Sequence, residues 1–326
     1  MPVGTGINAT LNYATEYGRA LSQAFPYQLY FGRLYATENN NRFRWVNSKT
    51  IEIPSISTTG RVAADRDSIA QAARNYDNAW ESKTLENERK WSTLVHPMDI
   101  DQTNLVASIS NITQVFNEFQ KFPEMDAYTA SKLYADWLTT TDPATSATRV
   151  ADDTELTVQN ILGVFDALML KMDNERVPQT GRLLYVTNEV NYILKEAEKI
   201  SRSMDITSGP NAIDRRVNRL DQVEIIPVPA ELMKTAYEFD EGYVVGDSAK
   251  QINMILVHPL AVITPVSYTF ASLDAPSAVT NGKYYYYEES FEDVFILNKK
   301  SGAVQFNVTD TPAAAPAIPS GEGGNG

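Results

Sequence analysis

The sequence predicts an α+β protein in which an extended two-stranded hairpin, a long helix and a compact α/β unit follow one another. Two long strand-like runs in the N-terminal third, at 43–57 and 82–95, predict the hairpin. An apolar stripe at helical spacing after residue 101 predicts the helix. Strand-like and helix-like segments then alternate between residues 151 and 250, as in a compact α/β unit.

The second strand of the hairpin, "SKTLENERKWSTLV" at 82–95, is unusual because both of its faces carry charge. Arg89 and Trp91 fall on one face, whereas Glu88 and Lys90 fall on the other. A strand that lies on its own core is apolar on one face and polar on the other. Because an isolated ribbon is marginal in water, we expect this hairpin to lie on a surface that is partly polar.

The long helix is predicted to begin near Asp101, which is a suitable N-cap. Its apolar stripe has spacings of three and four residues: Leu105, Ile109, Ile112, Phe116 and Phe119. Pro123 is followed by acidic residues, which is typical of a first helical turn, so we expect the helix to bend or restart there.

The C-terminal half contains several elements with clear patterns. A helix capped by Thr157 is followed by the strand "GRLLYVT", a second helix and the strand "VEIIPVP". The segment "INMILVHP" predicts a further strand, and residues 284–308 predict two strands joined by the turn "NKKSG". The Pro-, Ala- and Gly-rich residues 309–326 predict a flexible tail.

Composition excludes several classes of function. The 326 residues include 41 acidic and 28 basic side chains, a net charge of -13, which disfavours binding to nucleic acid or anionic membranes. The chain contains no cysteine, so disulfides, thiolate metal sites and cysteine nucleophiles are excluded. Neither a signal peptide nor a long apolar run occurs, which predicts a soluble protein made in a cytoplasm.

A search for catalytic or metal-binding residues finds few candidates. Both histidines, His96 and His258, precede proline and are expected at strand ends. Asp99 and Asp101 are two residues apart and could bind a hard cation, or they could simply interact with a helix dipole. We therefore predict no catalytic residue, no metal site and no cofactor.

The segment "KYYYYEES" places two tyrosine rings on each face of a strand. Such rings could bind sugars or other flat ligands, but we favour a strand that lies between a core and a neighbouring subunit.

The ordered set of these segments resembles the major capsid proteins of tailed bacteriophages with the Hong Kong 97-type fold. The resemblance depends on "KTIEIPSISTTGRVAADRD", "NAWESKTLENERKWSTLVHPMDIDQTN" and "NITQVFNEFQKFPEMDAYTASKLYADW". It extends to "INMILVHPLAVITPVSYTF" and "YYYYEESFEDVFILNKKSGAVQF", and covers roughly residues 5–308. No single motif among these is specific by itself.

The resemblance implies a division of the chain into arm, loop and domains. Its parts are an N-terminal arm (1–39), an extended loop (40–100), a peripheral domain with a spine helix (101–150), an axial domain (151–250), returning peripheral strands (251–308) and the flexible tail (309–326). The spine helix is expected at 102–140.

The resemblance also implies assembly into pentamers and hexamers that form an icosahedral head around double-stranded DNA. The strand at 82–95 would then lie across a neighbouring subunit, which explains its mixed faces. Residues expected at contacts between subunits are Arg61, Asp65, Arg66, Asp67, Trp80, Arg89 and Trp91. A separate scaffolding protein and a portal are expected partners, and a decoration protein is a further candidate.

Two other hypotheses remain open from the sequence. An encapsulin, the shell protein of a cellular nanocompartment, shares this fold and encloses cargo enzymes. An acidic α/β hydrolase that uses Asp99 and Asp101 would instead be a monomer whose activity is lost in the Asp101→Ala variant.

Overall fold

The computed structural model describes residues 27–61, 75–102, 108–142, 146–197 and 219–314. In these ranges, one long helix packs between a three-stranded and a five-stranded sheet. A second three-stranded sheet forms the extended hairpin, and there are two shorter two-stranded ladders.

The extended hairpin consists of β1 (Arg44–Trp45), β2 (Thr50–Thr58) and β3 (Tyr76–Thr84), all antiparallel. The β2–β3 ladder is regular from the Thr50–Thr84 pair to the Thr58–Tyr76 pair. A hairpin that contains the first predicted strand is therefore present, but its second strand is 76–84 rather than the predicted 82–95, so most of β3 comes from the segment predicted as the tip.

The run predicted as one strand over 82–95 is in fact two strands in different sheets. At the break, Leu85 is buried in a small core and the Glu86 amide donates to Asp293 Oδ2 at 2.9 Å. The chain then enters β4 (Glu88–Val95), which pairs with β13 (Tyr284–Glu292). In turn, β13 pairs with β12 (Val266–Asp274).

The strand β4 has an inner face that packs on its own chain, contrary to the expectation that neither face does. Its residues alternate between exposed and partly buried, and Arg89, Trp91, Thr93 and Val95 are on the inner face. Trp91 stacks on Phe116 of the long helix, with ring centroids 3.9 Å apart. The sequence does not reveal this inner face, because it contains the charged residue Arg89. Arg89 can lie there because its charge is paired with Glu124 inside the chain.

The long helix contains α3 (Ile109–Phe116), a π-helical turn (Asn117–Lys121) and α4 (Phe122–Leu138). Ser108 is its N-cap and accepts a hydrogen bond from the Asn111 amide at 3.4 Å. Asp101 instead lies in the short helix α2 (Pro97–Gln102), and Leu105 lies outside the described residues. Pro123 occupies the first turn of α4, as predicted, directly after the π-helical turn.

The α/β unit has the predicted alternation of elements. It consists of α5 (Ile161–Asn174), β5 (Leu183–Thr187), α6 (Asn188–Glu196), β6 (Arg219–Leu220), β7 (Val223–Val228), β8 (Tyr237–Glu238) and β9 (Val244–Val245). Asn160, rather than the predicted Thr157, is the N-cap of α5. The Thr157 amide donates to Asn160 Oδ1 at 2.8 Å, and the Thr157 carbonyl accepts from the Ile161 amide at 3.1 Å.

The five-stranded sheet has the order β15-β10-β5-β7-β6, where β10 is Gln251–Val257 and β15 is Val304–Thr309. Every residue of β5, β10 and β15 is buried, because both faces of the sheet are covered. The boundary predicted at residue 250 therefore cuts through one sheet. Strands β10 and β15 belong with the α/β unit, whereas β12 and β13 lie on the long helix.

The two strands predicted in 284–308 do not pair with each other. Strand β13 pairs with β12 and β4, whereas β15 pairs with β10. Between them, β14 (Phe295–Ile296) pairs with β11 (Val262–Ile263), and a 3-10 helix follows (Asn298–Ala303). The tail predicted from residue 309 begins later, because Thr309 is a buried strand residue, and residues 315–326 lie outside the described ranges.

Asp126 of the long helix anchors the described end of the predicted N-terminal arm. Its carboxylate accepts from the Tyr27 hydroxyl at 2.6 Å and from the Tyr30 and Phe31 amides at 3.0 and 3.1 Å. Phe31 and Leu34, the latter in the short helix α1 (Gly32–Tyr35), are fully buried in the main core. Residues 27–35 are thus part of the folded body, and residues 1–26 lie outside the described ranges.

Candidate assembly surfaces

One face of the extended hairpin, which we call its apolar face, carries a cluster of exposed apolar side chains beside the Arg44–Glu52 ion pair. In the β2–β3 ladder, Pro54 is opposite Trp80 and Ile56 is opposite Asn78, so the apolar side chains share a face. The Trp80 and Ile56 residues are 44% and 66% exposed, and the Arg44 guanidinium lies 3.7 Å from the Trp80 ring centroid. Exposed apolar side chains grouped in this way, with an arginine beside a tryptophan, are typical of protein–protein contacts.

The other face of the hairpin packs on the body of the chain near its base, and farther out Lys299 Nζ donates to the Ile56 carbonyl at 2.7 Å. At the base, Ile51 is buried and Ile53 packs on a small core with Leu85, Phe291 and Phe295. Farther out, this face has the small residues Ser55 and Ala79. The outer part of the ribbon therefore projects from the body without a core of its own.

A buried lysine fixes the direction in which the hairpin leaves the body. Lys83 Nζ lies 3.0 Å from Asp136 Oδ1 on the long helix and 3.3 Å from Asn298 Oδ1. The other Asp136 oxygen accepts from the Ile296 amide at 2.6 Å. The Lys83 and Asp136 side chains are each only 12% exposed. Burial raises the pKa of the neighbouring Glu81 carboxyl, which lies 3.7 Å from Lys83 Nζ.

A second polar anchor lies where β3 leads into β4. The buried carboxylate of Asp293 accepts from the Tyr128 hydroxyl at 2.8 Å and from the Glu86 amide at 2.9 Å. Lys132 Nζ pairs with Glu86 at 3.0 Å. Burial raises the pKa of Asp293 despite these donors. Together, the two anchors hold the hairpin base against the long helix through polar contacts.

Two of the residues predicted at subunit contacts have partners inside the chain. Arg89 donates from Nε to Glu124 at 2.6 Å, and it also donates to the carbonyl oxygens of Phe239 and Gly242. Trp91 lies between Phe116 and Tyr286. Arg89 therefore links β4, the long helix and the loop after β8, and its role in this structure is internal.

Of the remaining predicted contact residues, the structure describes Trp80 and Arg61. Trp80 is on the apolar face described above, and Arg61 is exposed where β2 leads into the tip. Asp65, Arg66 and Asp67 lie outside the described residues. The sequence reasoning missed Ile56 and Arg44, because only the observed register shows that they share a face with Trp80.

The tyrosine strand β13 has two faces, as predicted. Tyr286 faces inward toward Trp91, with ring centroids 5.7 Å apart. The outward rings form a surface that we call the aromatic platform: Tyr268, Phe270, Tyr285 and Tyr287. Its neighbour Leu94, opposite Tyr285 on β4, is 55% exposed.

The catalytic candidates take structural roles in the described ranges. His96 Nδ1 accepts from the Met98 amide at 3.1 Å, and His258 Nδ1 accepts from the Leu260 amide at 3.2 Å. Burial lowers the pKa of His258, whose Nε2 lies 3.1 Å from the Thr180 carbonyl. Asp99 and Asp101 lie in the short helix α2.

Within the described residues, no cluster of three or more metal-binding side chains occurs. In the same residues, no helix is long and apolar enough to cross a membrane.

Comparison with solved structures identifies the fold. The chain is similar to the mature capsid of bacteriophage PhiM1, with a TM-score of 0.62 and 12% identity over 89% of both chains. It is also similar to the capsid of Cyanophage P-SCSP1u, with a TM-score of 0.61 and 12% identity over 88% of this chain and 89% of that one. The chain has the fold of tailed-phage capsid proteins.

A third capsid, that of Helicobacter pylori bacteriophage KHP30, has a TM-score of 0.56 and 12% identity over 89% of this chain and 92% of that one. The α+β Hong Kong 97-like fold predicted from the sequence is therefore confirmed. No protein-family model and no curated protein matches the chain in sequence.

Proposed function

We propose that this protein is the major capsid subunit of a tailed phage, and that copies of it form the icosahedral head around double-stranded DNA. The capsid-protein fold supports a shell subunit, and pentamers and hexamers are the units we expect. The observation that carries the proposal is the apolar face of the extended hairpin, with Ile56 and Trp80 exposed beyond the body of the chain. A neighbouring copy is the partner that would cover it.

The hairpin is built to present this face. Its base is fixed by the Lys83–Asp136 pair and by Asp293, whereas its outer part contacts the described body through Lys299 Nζ, which donates to the Ile56 carbonyl at 2.7 Å. Rigid presentation lowers the entropy that is lost when a contact forms. A single contact of this size is weak, but each subunit of a closed shell both gives and receives one, so the contacts add up.

The charge of the chain fits the enclosed DNA. A net charge of -13 disfavours tight contact between the shell and the phosphate backbone, so DNA can be packed without being trapped. A separate scaffolding protein, a portal and a decoration protein are the further partners we propose. The virion is the proposed location, after assembly in the host cytoplasm.

The other hypotheses have weaker support. The similar structures are phage capsids, which favours a phage head over an encapsulin-type nanocompartment. For a hydrolase, Asp99 and Asp101 would have to act together, but both lie in a single short helix, and no cluster of three or more metal-binding side chains occurs among the side chains that the structure describes. We propose no catalytic activity.

The proposal is tested by expressing the full chain, alone and with its neighbouring genes, and analysing the product by sedimentation and electron microscopy. We expect closed shells or capsomers from the natural chain. The Ile56→Asp variant should remain monomeric, because it places a charge in the contact. The matched control is Tyr192→Asp, which changes a residue of similar exposure (57%) on α6. A monomer under every condition would contradict the proposal.

A further inference from the structure

The aromatic platform is an apolar surface that the described residues leave open. Tyr268 and Phe270 are 46% and 43% exposed, and their rings are nearly parallel with centroids 6.2 Å apart. Tyr285 and Tyr287 form a second row with centroids 6.3 Å apart. Phe270 joins the two rows, because its ring centroid lies 6.3 Å from that of Tyr287.

Rows of aromatic rings on an antiparallel sheet suit one kind of peptide ligand. A proline-rich segment in the polyproline II conformation has no internal hydrogen bonds, and its rings and methylene groups pack between aromatic side chains. Such a segment is already stiff, so little conformational entropy is lost when it binds. The Tyr287 hydroxyl donates to Glu289, whereas the hydroxyls of Tyr268 and Tyr285 can donate to the exposed peptide carbonyls.

The chain itself contains such a segment. Residues 311–321 read "TPAAAPAIPSG", have no charge, and include the P-x-x-P pattern Pro316–Pro319. Because the segment is uncharged, no charged group has to lose its hydration on binding. We propose that Pro316–Pro319 of one copy binds to the aromatic platform of a neighbouring copy.

The described start of the tail packs on the main core, whereas the platform belongs to the three-stranded sheet β12-β13-β4. The start of the tail is fixed where the Ala313 amide donates to Asn253 Oδ1 at 3.4 Å and Ala313 packs on the main core. Nearby, Phe306 of β15 packs on Tyr134 of the long helix. The platform strand β13 meets the same helix at Lys121, whose Nζ lies 3.0 Å from Glu288.

Lys121 and Tyr134 are separated by 134 − 121 = 13 residues, which is roughly 20 Å along the helix axis. Pro316 and Pro319 are three and six residues after Ala313, which corresponds to about 9 and about 19 Å in the polyproline II conformation, so the segment as a whole does not span the separation. The platform also lies on the sheet face turned away from the helix. A neighbouring copy therefore supplies the segment, so the inference rests on the proposed assembly.

Cysteine pairs provide a direct test, because the natural chain has no cysteine. In the full chain, Ile318→Cys is combined with Ser272→Cys, whose backbone is opposite Tyr287 on the platform face. After mild oxidation of assembled particles, we expect disulfide-linked dimers and larger ladders on non-reducing gels. The matched control combines Ile318→Cys with Thr269→Cys, which is exposed on the opposite face of the same strand.

The added changes Pro316→Ala and Pro319→Ala should reduce the ladder of the platform pair at least fivefold. The docking inference would be overturned if particles form without disulfide-linked oligomers, or if the control pair gives as many of these oligomers as the platform pair. Either result would leave the proposed shell function intact. A disulfide within a single chain would overturn the assignment to a neighbouring copy.

A second measurement does not depend on assembly. A labelled peptide of residues 311–321 is titrated into the full chain that carries Pro316→Ala and Pro319→Ala, and binding is followed by fluorescence polarisation. We expect saturable binding that weakens about tenfold with Tyr287→Ala. No binding at millimolar peptide, or no effect of Tyr287→Ala, would contradict the platform assignment, whether or not shells form.

Discussion

The five-stranded sheet and the extended hairpin differ in where their stability comes from. In the sheet, every residue of β5, β10 and β15 is buried inside the chain. In the hairpin, most residues of β3 are exposed, and only the base packs on a core. A strand buried on both faces stabilises the isolated subunit, whereas an exposed ribbon gains its burial when another chain covers it.

The largest effect on the isolated subunit is expected in the sheet. Phe306 is 1% exposed and packs against Tyr134 and Trp137, so Phe306→Ala leaves a cavity. We expect the free energy of unfolding to fall by about 3–5 kcal/mol, measured by denaturant titration of the unassembled protein. A loss below about 1 kcal/mol would mean that this sheet is not the main source of stability.

An intermediate effect is expected at the hairpin base. Lys83→Met leaves Asp136 buried without its cation, so we expect a loss of about 2–4 kcal/mol in unfolding free energy and impaired assembly. Lys49→Met is the matched control, because the Lys49–Glu88 pair is more than half exposed and should contribute no more than about 0.5 kcal/mol. If the two variants lower the unfolding free energy equally, the Lys83–Asp136 pair contributes no more to stability than an exposed ion pair.

A pH-dependent effect is expected at Asp126, which joins residues 27–31 to the long helix. Burial raises its pKa from 3.8 to about 6, so the folded chain holds this proton more tightly than the unfolded chain. The resulting stability is fully present below pH 3.8 and is lost as the pH rises through about 6. The loss is roughly 3 kcal/mol.

Asp126→Asn should flatten the dependence of stability on pH between about 4 and 6, measured by thermal unfolding. Asp274→Asn is the control, because Asp274 is exposed at the end of β12. If the slope of stability against pH is unchanged in the Asp126→Asn variant, Asp126 is not the source of this pH dependence.

The smallest effect on the isolated subunit is expected on the apolar face of the hairpin. Trp80→Ala removes an exposed ring and its contact with Arg44, so we expect a loss of about 0.5–1 kcal/mol in unfolding free energy. Assembly yield, measured by sedimentation, should nevertheless fall sharply. A stability loss as large as that of Phe306→Ala would show that the chain itself already buries Trp80.

The sequence predicted the elements whose apolar residues form a continuous run or a regular helical stripe. The strand at 183–187 and the strand that begins near residue 252 are continuous apolar runs, and the long helix has a clear stripe. The runs and the stripe are local, so a single sequence shows them. A hairpin was also predicted, but its second strand lies at 76–84, mostly within the polar segment that was interpreted as the tip.

The errors came from contacts between distant residues. The break at Leu85 depends on the Asp293 carboxylate, and Arg89 looked like a surface charge because its acceptors are on the long helix and in the loop after β8. The pairing of β15 with β10 instead of β13 is likewise set by the shared core. For the apolar face of the hairpin, Trp80 was predicted from the sequence. Ile56 and Arg44 could be assigned to this face only from the observed pairing of β1, β2 and β3.

Hydrogen exchange of the subunit before and after assembly tests the central claim most directly. The account predicts that amides of β5 and β10 are protected in both states. The outward-facing amides of β3 should become protected only in the assembled shell. Equal protection of β3 in the isolated subunit, or its continued fast exchange in the shell, would contradict the claim that a neighbouring copy covers the hairpin.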